Sequence, residues 1–170
     1  VMNSNLKCLL HILADGEFHS GEEIGEKLNI TRSGVWKIIK QLENYGLNFE
    51  AKTNQGYRLE GGRLELLEQN KIQAYLPEDL KPLIKNLDIF DTISSTNSWL
   101  LQAIDYPNLT LPKICLAEFQ TQGRGRQGRK WVSAFGQNLC FSLLWQFNKG
   151  FSEISTLSLV IALAVVEAIK

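Results

Sequence analysis

The chain has 170 residues, 44% of them hydrophobic, with 18 Lys and Arg against 18 Asp and Glu. That composition suits one globular domain or two small ones and excludes an intrinsically disordered polypeptide. A formal charge of zero means that any nucleic-acid contact has to come from a local patch and not from a basic domain. Three scattered cysteines, Cys8, Cys115 and Cys140, lack metal-ligand spacing and cannot all pair. With no cationic leader ahead of an apolar core, they predict a reducing compartment, the cytoplasm, with no metal site and no membrane contact.

Leu6, Leu9, Leu10 and Leu13 recur at helical spacing and predict a first helix closed by Gly16. Ser20-Gly-Glu-Glu23 has the form of a capping box and predicts a short second helix that buries Ile24 and Leu28. After a turn at Asn29-Ile30, Thr31 is placed to cap a third helix with Val35, Ile38, Ile39 and Leu42 on its buried face, ending at Gly46. The same period throws Ser33, Lys37 and Lys40 to the opposite side, with Arg32 and Trp36 at its edges. Phe49 and Ala51, then Tyr57 and Leu59, alternate with polar residues around Thr53-Asn54-Gln55-Gly56, which predicts a β-hairpin.

Three helices followed by a hairpin are a winged helix-turn-helix, whose third helix suits a DNA major groove and whose wing suits flanking phosphates. Arg32, Ser33, Trp36, Lys37 and Lys40 form the candidate reading face, and Lys52 and Arg58 are candidate phosphate contacts. Residues 1–62 hold eight acids and seven bases, but Glu22, Glu23 and Glu26 collect on the second helix while Arg32 to Gln41 has no acid. The competing reading is a protein-docking winged helix with a solvated lysine face.

Gly61-Gly62 breaks the pattern with flexible residues and sets the expected boundary between a domain at 1–62 and a second at 63–170. Leu64 to Leu76 predicts a helix stopped by Pro77, and Leu87 to Phe90 a strand. Ser95, Thr96 and Asn97 are N-cap types ahead of a helix containing Trp99, Leu100, Leu101 and Ile104. They serve either as plain caps or, beside free helix N–H groups, as ligand contacts. Lys113 to Phe119 and Leu139 to Trp145 read as strands. The last helix carries Ile154, Leu157, Val160, Ile161, Ala164, Val165 and Ile169, interrupted by Ser155, Thr156, Ser158 and Glu167 and too short to span a bilayer. The order of elements predicts an α+β fold.

No carboxylate occurs between Glu118 and Glu153, and within that gap Gln120 to Trp131 holds four cations and three glycines. Glycine lets backbone N–H groups wrap an anion, and arginine adds planar, permanently charged forks for carboxylate or phosphate. Gly123-x-Gly125-x-x-Gly128 satisfies the dinucleotide fingerprint in letters only, because a strand follows it where a Rossmann loop opens a helix. The kinase version fails too, for want of a Val-Ala-Ile-Lys lysine.

Gly123-Arg-Gly-Arg-Gln-Gly-Arg-Lys-Trp131, Ser95-Thr96-Asn97, Gly16-Glu-Phe-His-Ser20 and Ser33-Gly-Val-Trp-Lys37 together resemble the bifunctional biotin–protein ligase and biotin operon repressor family, over essentially the whole chain. The resemblance implies that residues 63–170 are the N-terminal portion of a mixed α/β ligase domain of the class II synthetase-like type. It implies biotin and ATP as substrates, Mg2+ with the ATP, and biotinyl-5′-AMP as both intermediate and corepressor. Implied partners are a biotin carboxyl carrier domain, operator DNA and, once loaded with adenylate, a second copy.

By the same resemblance, Ser95, Thr96, Asn97 and Gln120 contact biotin, and Arg124, Gly125 and Arg126 fold over its carboxylate, the two arginines in the catalytic role. Gly123, Arg129 and Trp131 hold the nucleotide, while Trp131 and Phe135 read equally well as core aromatics. The family's Lys-Trp-Pro-Asn-Asp strand, with its lysine at the activated carboxylate, has no counterpart here, so a truncated ligase with weak or no turnover is expected. A winged-helix regulator that only senses a ligand, and a lipoate–protein ligase relative, remain alternatives.

Overall fold

A computed structural model describes residues 2–84, 87–148, 150 and 154–170; Glu153, the acid that ends the carboxylate-free stretch, lies outside them. Helix α1 (Ser4–Leu13) is capped by Asn3, whose side chain accepts the Asn5 N–H, and Leu6, Leu9, Leu10 and Leu13 are all buried. Helix α2 (Gly21–Leu28) begins at Ser20, whose hydroxyl accepts the Glu23 N–H at 3.0 Å. The expected capping box is one-sided, because the Glu23 carboxylate turns to His19 Nδ1 at 3.0 Å and Lys27 Nζ at 2.8 Å. The expected third helix divides into α3 (Arg32–Ile39) and a 3-10 turn (Lys40–Tyr45) that ends at Gly46 with φ 71°.

Strands β1 (Phe49–Lys52) and β2 (Gly56–Leu59) pair antiparallel from Phe49↔Leu59 to Lys52↔Gly56. His19 adds a bridge on Tyr57, with reciprocal N–H···O contacts of 2.9 and 2.8 Å. This approach explains Gly56, whose φ is 106° and where a Cβ would fall 1.9 Å from the His19 carbonyl oxygen. The winged-helix core gathers Leu6, Leu9, Leu10, Leu13, Ile24, Val35, Ile39, Leu42, Leu47 and Leu59, and it also takes in Phe135 from far along the chain. Each such side chain contributes about 1.5–3 kcal/mol on burial.

The helix expected from Leu64 to Leu76 forms only as α4 (Gln69–Tyr75). Ahead of it the backbone is drawn out by its partners: the Leu64 N–H donates to the Ala14 carbonyl at 2.8 Å, Leu64 and Leu66 pack on the winged-helix core, and the Leu67 N–H donates to the Glu118 carboxylate. A second sheet has the order β3-β4-β5, with β3 (Leu87–Ile93) parallel to β4 (Lys113–Gln120) and β5 (Cys140–Leu144) antiparallel to β4. Helix α5 (Thr96–Ala103) packs on β4 and β5, burying Leu100 and Ala103 while Leu101 and Ile104 face out. Asp88 fixes its first turn by accepting the Trp99 indole N–H at 2.8 Å and pairing with Lys113 at 2.8 Å.

Helix α6 (Leu157–Ile169) buries none of its residues; Leu159 is 70% exposed, and Phe141 and Leu143 of β5 are exposed as well. No helix among the described residues is long and apolar enough to cross a membrane. Open aliphatic surface of this kind predicts self-association. Replacing Leu159 and Leu163 by Lys is expected to shift sedimentation velocity toward monomer and to reduce binding of a hydrophobic dye, without lowering the unfolding temperature of the winged helix. Unchanged sedimentation would show that the helix face does not drive association.

His19 stands between Asp15 (Nε2 to Oδ2, 3.0 Å) and Glu23, tying the α1–α2 connection together. Partial burial disfavours the charged ring, yet the hydrogen bonds to Glu23 and Asp15 outweigh it and raise the His19 pKa. Lys27 first, then His19, hold Glu23 down to about 2; Asp15 is lowered despite partial desolvation by the Glu17 N–H and His19. The imidazolium therefore stabilises fully below its unfolded pKa of about 6.5 and loses that effect as pH rises through its raised folded value. The carboxylates stabilise above about pH 4 and lose their effect as pH falls through their lowered values. Comparing wild type with His19→Gln by urea unfolding should show a larger gap near pH 6 than near pH 8.5. Equal gaps at the two pH values would mean that the ring is uncharged in the folded state.

Candidate functional site

Parallel pairing sets the carboxyl ends of β3 and β4 level, with Ile93 opposite Gln120. The Thr121 N–H donates to the Ile93 carbonyl and the Gln122 N–H to the Ser94 carbonyl, both at 2.9 Å. Ligands of open α/β sheets sit in the crevice outside such strand ends. Ser95 caps α5 there, its hydroxyl accepting the Ser98 N–H at 3.4 Å. Gln120 Oε1 accepts from the Thr96 N–H at 2.8 Å and the Thr96 hydroxyl at 3.2 Å. A backbone donor at that oxygen fixes the amide orientation and leaves the Gln120 NH2 as a donor on the loop side, 3.3 Å from where a Gly123 Cβ would lie. The Thr96 hydroxyl, having donated to Gln120, accepts from Ser142 Oγ at 2.8 Å. Side chains from α5, β4 and β5 thus converge on one point. Ser95 and Thr96 are buried, and Asn97 faces out.

The loop that follows folds back on itself as a small hairpin. The Trp131 N–H donates to the Gly123 carbonyl at 2.8 Å, Arg124 bridges Lys130, and the Gly125 N–H donates to the Arg129 carbonyl at 2.7 Å. Its tip is a short turn over Arg126–Gly128, with Gln127 at φ 59°. The expected wrapping by backbone N–H groups is therefore modified: those of Gly125 and Trp131 are spent inside the loop, and positive charge reaches the crevice through side chains. Arg124 Nη2 donates to Ser98 Oγ at 3.2 Å, which holds one guanidinium at the start of α5. Arg126 and Arg129 are exposed, Arg129 donating to Gln127 Oε1 at 3.4 Å. Trp131 is 52% exposed beside the loop, whereas Phe135 is 2% exposed inside the winged-helix core. Neutral donors and acceptors at the base with guanidinium groups at the rim suit a ligand that has a neutral polar head and an anionic end.

Ser142, Ser98 and Glu118 were not picked out by the sequence. The one available sign for Ser142 is a hydroxyl inside the otherwise apolar Cys140–Leu144. Cys115 on β4 is fully buried, and burial and then the Asp88 charge push its thiol up to about 12, which disfavours the thiolate.

On the winged helix, Arg32, Ser33, Lys37 and Lys40 are exposed. Among the described residues Lys37 has no ion-pair partner, while Lys40 pairs with Glu43 at 3.4 Å and lies 5.0 Å over the Trp36 ring. Ser33 Oγ is 3.0 Å from Thr31 Oγ1. Trp36 packs its ring against Phe49 and Tyr57 at 5.9 and 6.1 Å, joining α3 to the hairpin. Arg58 is committed to its cross-strand partner Glu50 through contacts of 3.0 to 3.2 Å and lies 4.6 Å from the Phe18 ring centroid; Lys52 lies 4.9 Å from the same centroid. An open groove of about 1060 Å³ runs between α2, Arg32 and the hairpin, with Lys52 and Asn54 in its wall, remote from the Thr96–Gln120 crevice.

Residues 5–58 match the model of an HTH domain, and residues 89–170 match that of the Biotin/lipoate A/B protein ligase family. The chain is 38% identical over 162 residues to the bifunctional ligase/repressor BirA of Salmonella typhimurium and 36% identical over 162 residues to that of Escherichia coli. Each of these alignments covers 95% of this chain and 48% of the relative. Against the BirA of Bacillus subtilis it is 32% identical over 161 residues, 92% of this chain and 47% of the relative. The chain thus spans about half the length of the curated relatives it matches. Residues 89–170 thus match the biotin/lipoate A/B protein ligase family, and with the helix-turn-helix match ahead of them the chain is similar along nearly its whole length to the bifunctional ligase/repressors.

Proposed function

We propose that this chain is the DNA-binding domain and the first part of the catalytic domain of a cytoplasmic biotin–protein ligase that also represses transcription, with the division at Gly62. The observation that carries the reading is the meeting of Thr96, Gln120 and Ser142 at the strand ends beneath an arginine-bearing loop. Biotin's neutral ureido ring would take the donors and acceptors of Ser95, Thr96, Asn97, Gln120 and Ser142, and its carboxylate would point toward Arg124, Gly125 and Arg126. There the carboxylate oxygen attacks the α-phosphorus of ATP and pyrophosphate leaves. The two guanidinium groups offset the repulsion between the two anions. A carrier lysine then opens the mixed anhydride and AMP departs. Gly123, Arg129 and Trp131 line the nucleotide side. Mg2+ would arrive on the ATP phosphates. Dimerisation of the adenylate-loaded form and operator binding through Arg32, Ser33, Lys37 and Lys40, with Lys52 at the wing, complete the reading.

Titration calorimetry with biotinyl-5′-AMP tests it. Losing a charge-assisted hydrogen bond in Arg126→Ala should weaken binding by roughly 10- to 150-fold, while the winged helix stays folded. Equal affinity in wild type and variant would remove the loop from the site. Adenylate binding without biotin-dependent pyrophosphate release would favour a sensor, and preference for lipoate would favour the sister activity.

For the DNA face, Lys37→Ala should lower the slope of log affinity against log salt on operator DNA by about one. An unchanged slope would point to a protein-docking winged helix.

A further inference from the structure

Both ends of the glycine–arginine loop come to rest on one residue of the winged helix. On the ascending side, the Phe119 ring, one residue before Gln120, lies 5.2 Å from the Tyr45 ring. On the descending side, the Phe135 ring meets Tyr45 edge-on at 6.3 Å, and the Phe135 N–H donates to the Tyr45 carbonyl at 2.9 Å. Next to it, Gly46 is at φ 71°, and a Cβ there would sit 3.1 Å from Cα and Cβ of Ala134, so the loop's foot touches bare backbone. The two feet are also tied to each other, the Gly136 N–H donating to the Glu118 carbonyl at 3.2 Å. Glu118 is 4% exposed, and its carboxylate takes the linker's Leu67 N–H. Between these feet, Gln120 holds Thr96 at the start of α5, and beyond it the loop's further side-chain hold on that helix among the described residues is the Arg124–Ser98 hydrogen bond. The ascending end is thus tied to β3 and α5 as well, whereas the descending end rests on the winged helix, so the feet help set where the loop stands.

We propose that Tyr45, at the end of the 3-10 turn that continues the DNA-reading helix, is a positioning residue for the glycine–arginine loop. It clamps both feet through its ring and its carbonyl. The functional consequence rests on the reading of that loop as the ligand site; the clamp itself does not.

Limited tryptic digestion of the whole chain reads the clamp directly, because the loop carries its own cleavage sites after Arg124, Arg126, Arg129 and Lys130, and the wing carries one after Lys52. In Tyr45→Ala, loss of two ring contacts should speed loop cleavage on the order of tenfold relative to cleavage after Lys52. Tyr45→Phe, which keeps the ring and the carbonyl, should cut like wild type. Should Tyr45→Ala loosen the wing equally, Phe119→Leu decides, since it removes a ring contact from the sheet side; a severalfold rise confined to the loop supports the clamp. Unchanged loop cleavage in both Tyr45→Ala and Phe119→Leu, or a Tyr45→Phe chain as loose as Tyr45→Ala, overturns it. Biotinyl-5′-AMP titration of the same variants should give wild-type affinity for Tyr45→Phe and about tenfold weaker binding for Tyr45→Ala. A loosened loop with unaltered affinity overturns the positioning role. A wild-type chain that binds no adenylate overturns the ligase reading, while the tryptic comparison still decides the clamp.

Discussion

Parallel pairing of β3 with β4 requires the chain to cross over between them, and α5 is part of that crossover. Once the two strands run the same way, their carboxyl ends lie side by side, and the turn that opens α5 has to stand next to the last residue of β4. Gln120 is then within reach of both the N–H and the hydroxyl of Thr96. Antiparallel β5 returns from the loop along the other side of β4 and delivers Ser142 to the same hydroxyl. Thr96 and a glutamine 24 residues along the chain are brought together by strand direction.

Charge at the crevice is supplied by side chains and not by the peptide. The loop satisfies part of its own backbone, Gly125 to Arg129 and Trp131 to Gly123, leaving Arg124, Arg126 and Arg129 to carry the field. A guanidinium stays protonated at any relevant pH and keeps its fork geometry, so this region remains positive in a chain whose formal charge is zero. Gly123 serves packing here, with Trp131 Cβ 3.1 Å and Gln120 Nε2 3.3 Å from where its Cβ would be.

The winged helix spends several candidate DNA residues on its own architecture. Trp36 joins helix to hairpin, Arg58 and Glu50 pin the two strands, and Phe18 carries both Arg58 and Lys52. Such residues can still border a groove, but their removal loosens the fold as well as any contact. Lys37, without an ion-pair partner among the described residues, separates the two effects best.

Local periodicity and capping made the three helices, the hairpin and the strands around the loop legible in the sequence, because near neighbours along the chain determine them. Leu6, Leu9, Leu10 and Leu13 could face only one way on a helix. The family motifs pointed to the loop and the Ser95-Thr96-Asn97 turn as the candidate site, and residue type told that the loop is cationic. The structure decided what no near neighbour encodes. Phe135 sits in the core of the other domain, since the aromatic spacing around it is the same whichever domain it joins. Residues 63–68 stay out of the helix because their partners are Ala14, the winged-helix core and Glu118, 51 residues away from Leu67. Ser142 enters the site only when β5 takes its register on β4. Contacts of that range depend on how the sheet and the winged helix close on one another, and a one-dimensional pattern holds no record of which distant segment fills the space.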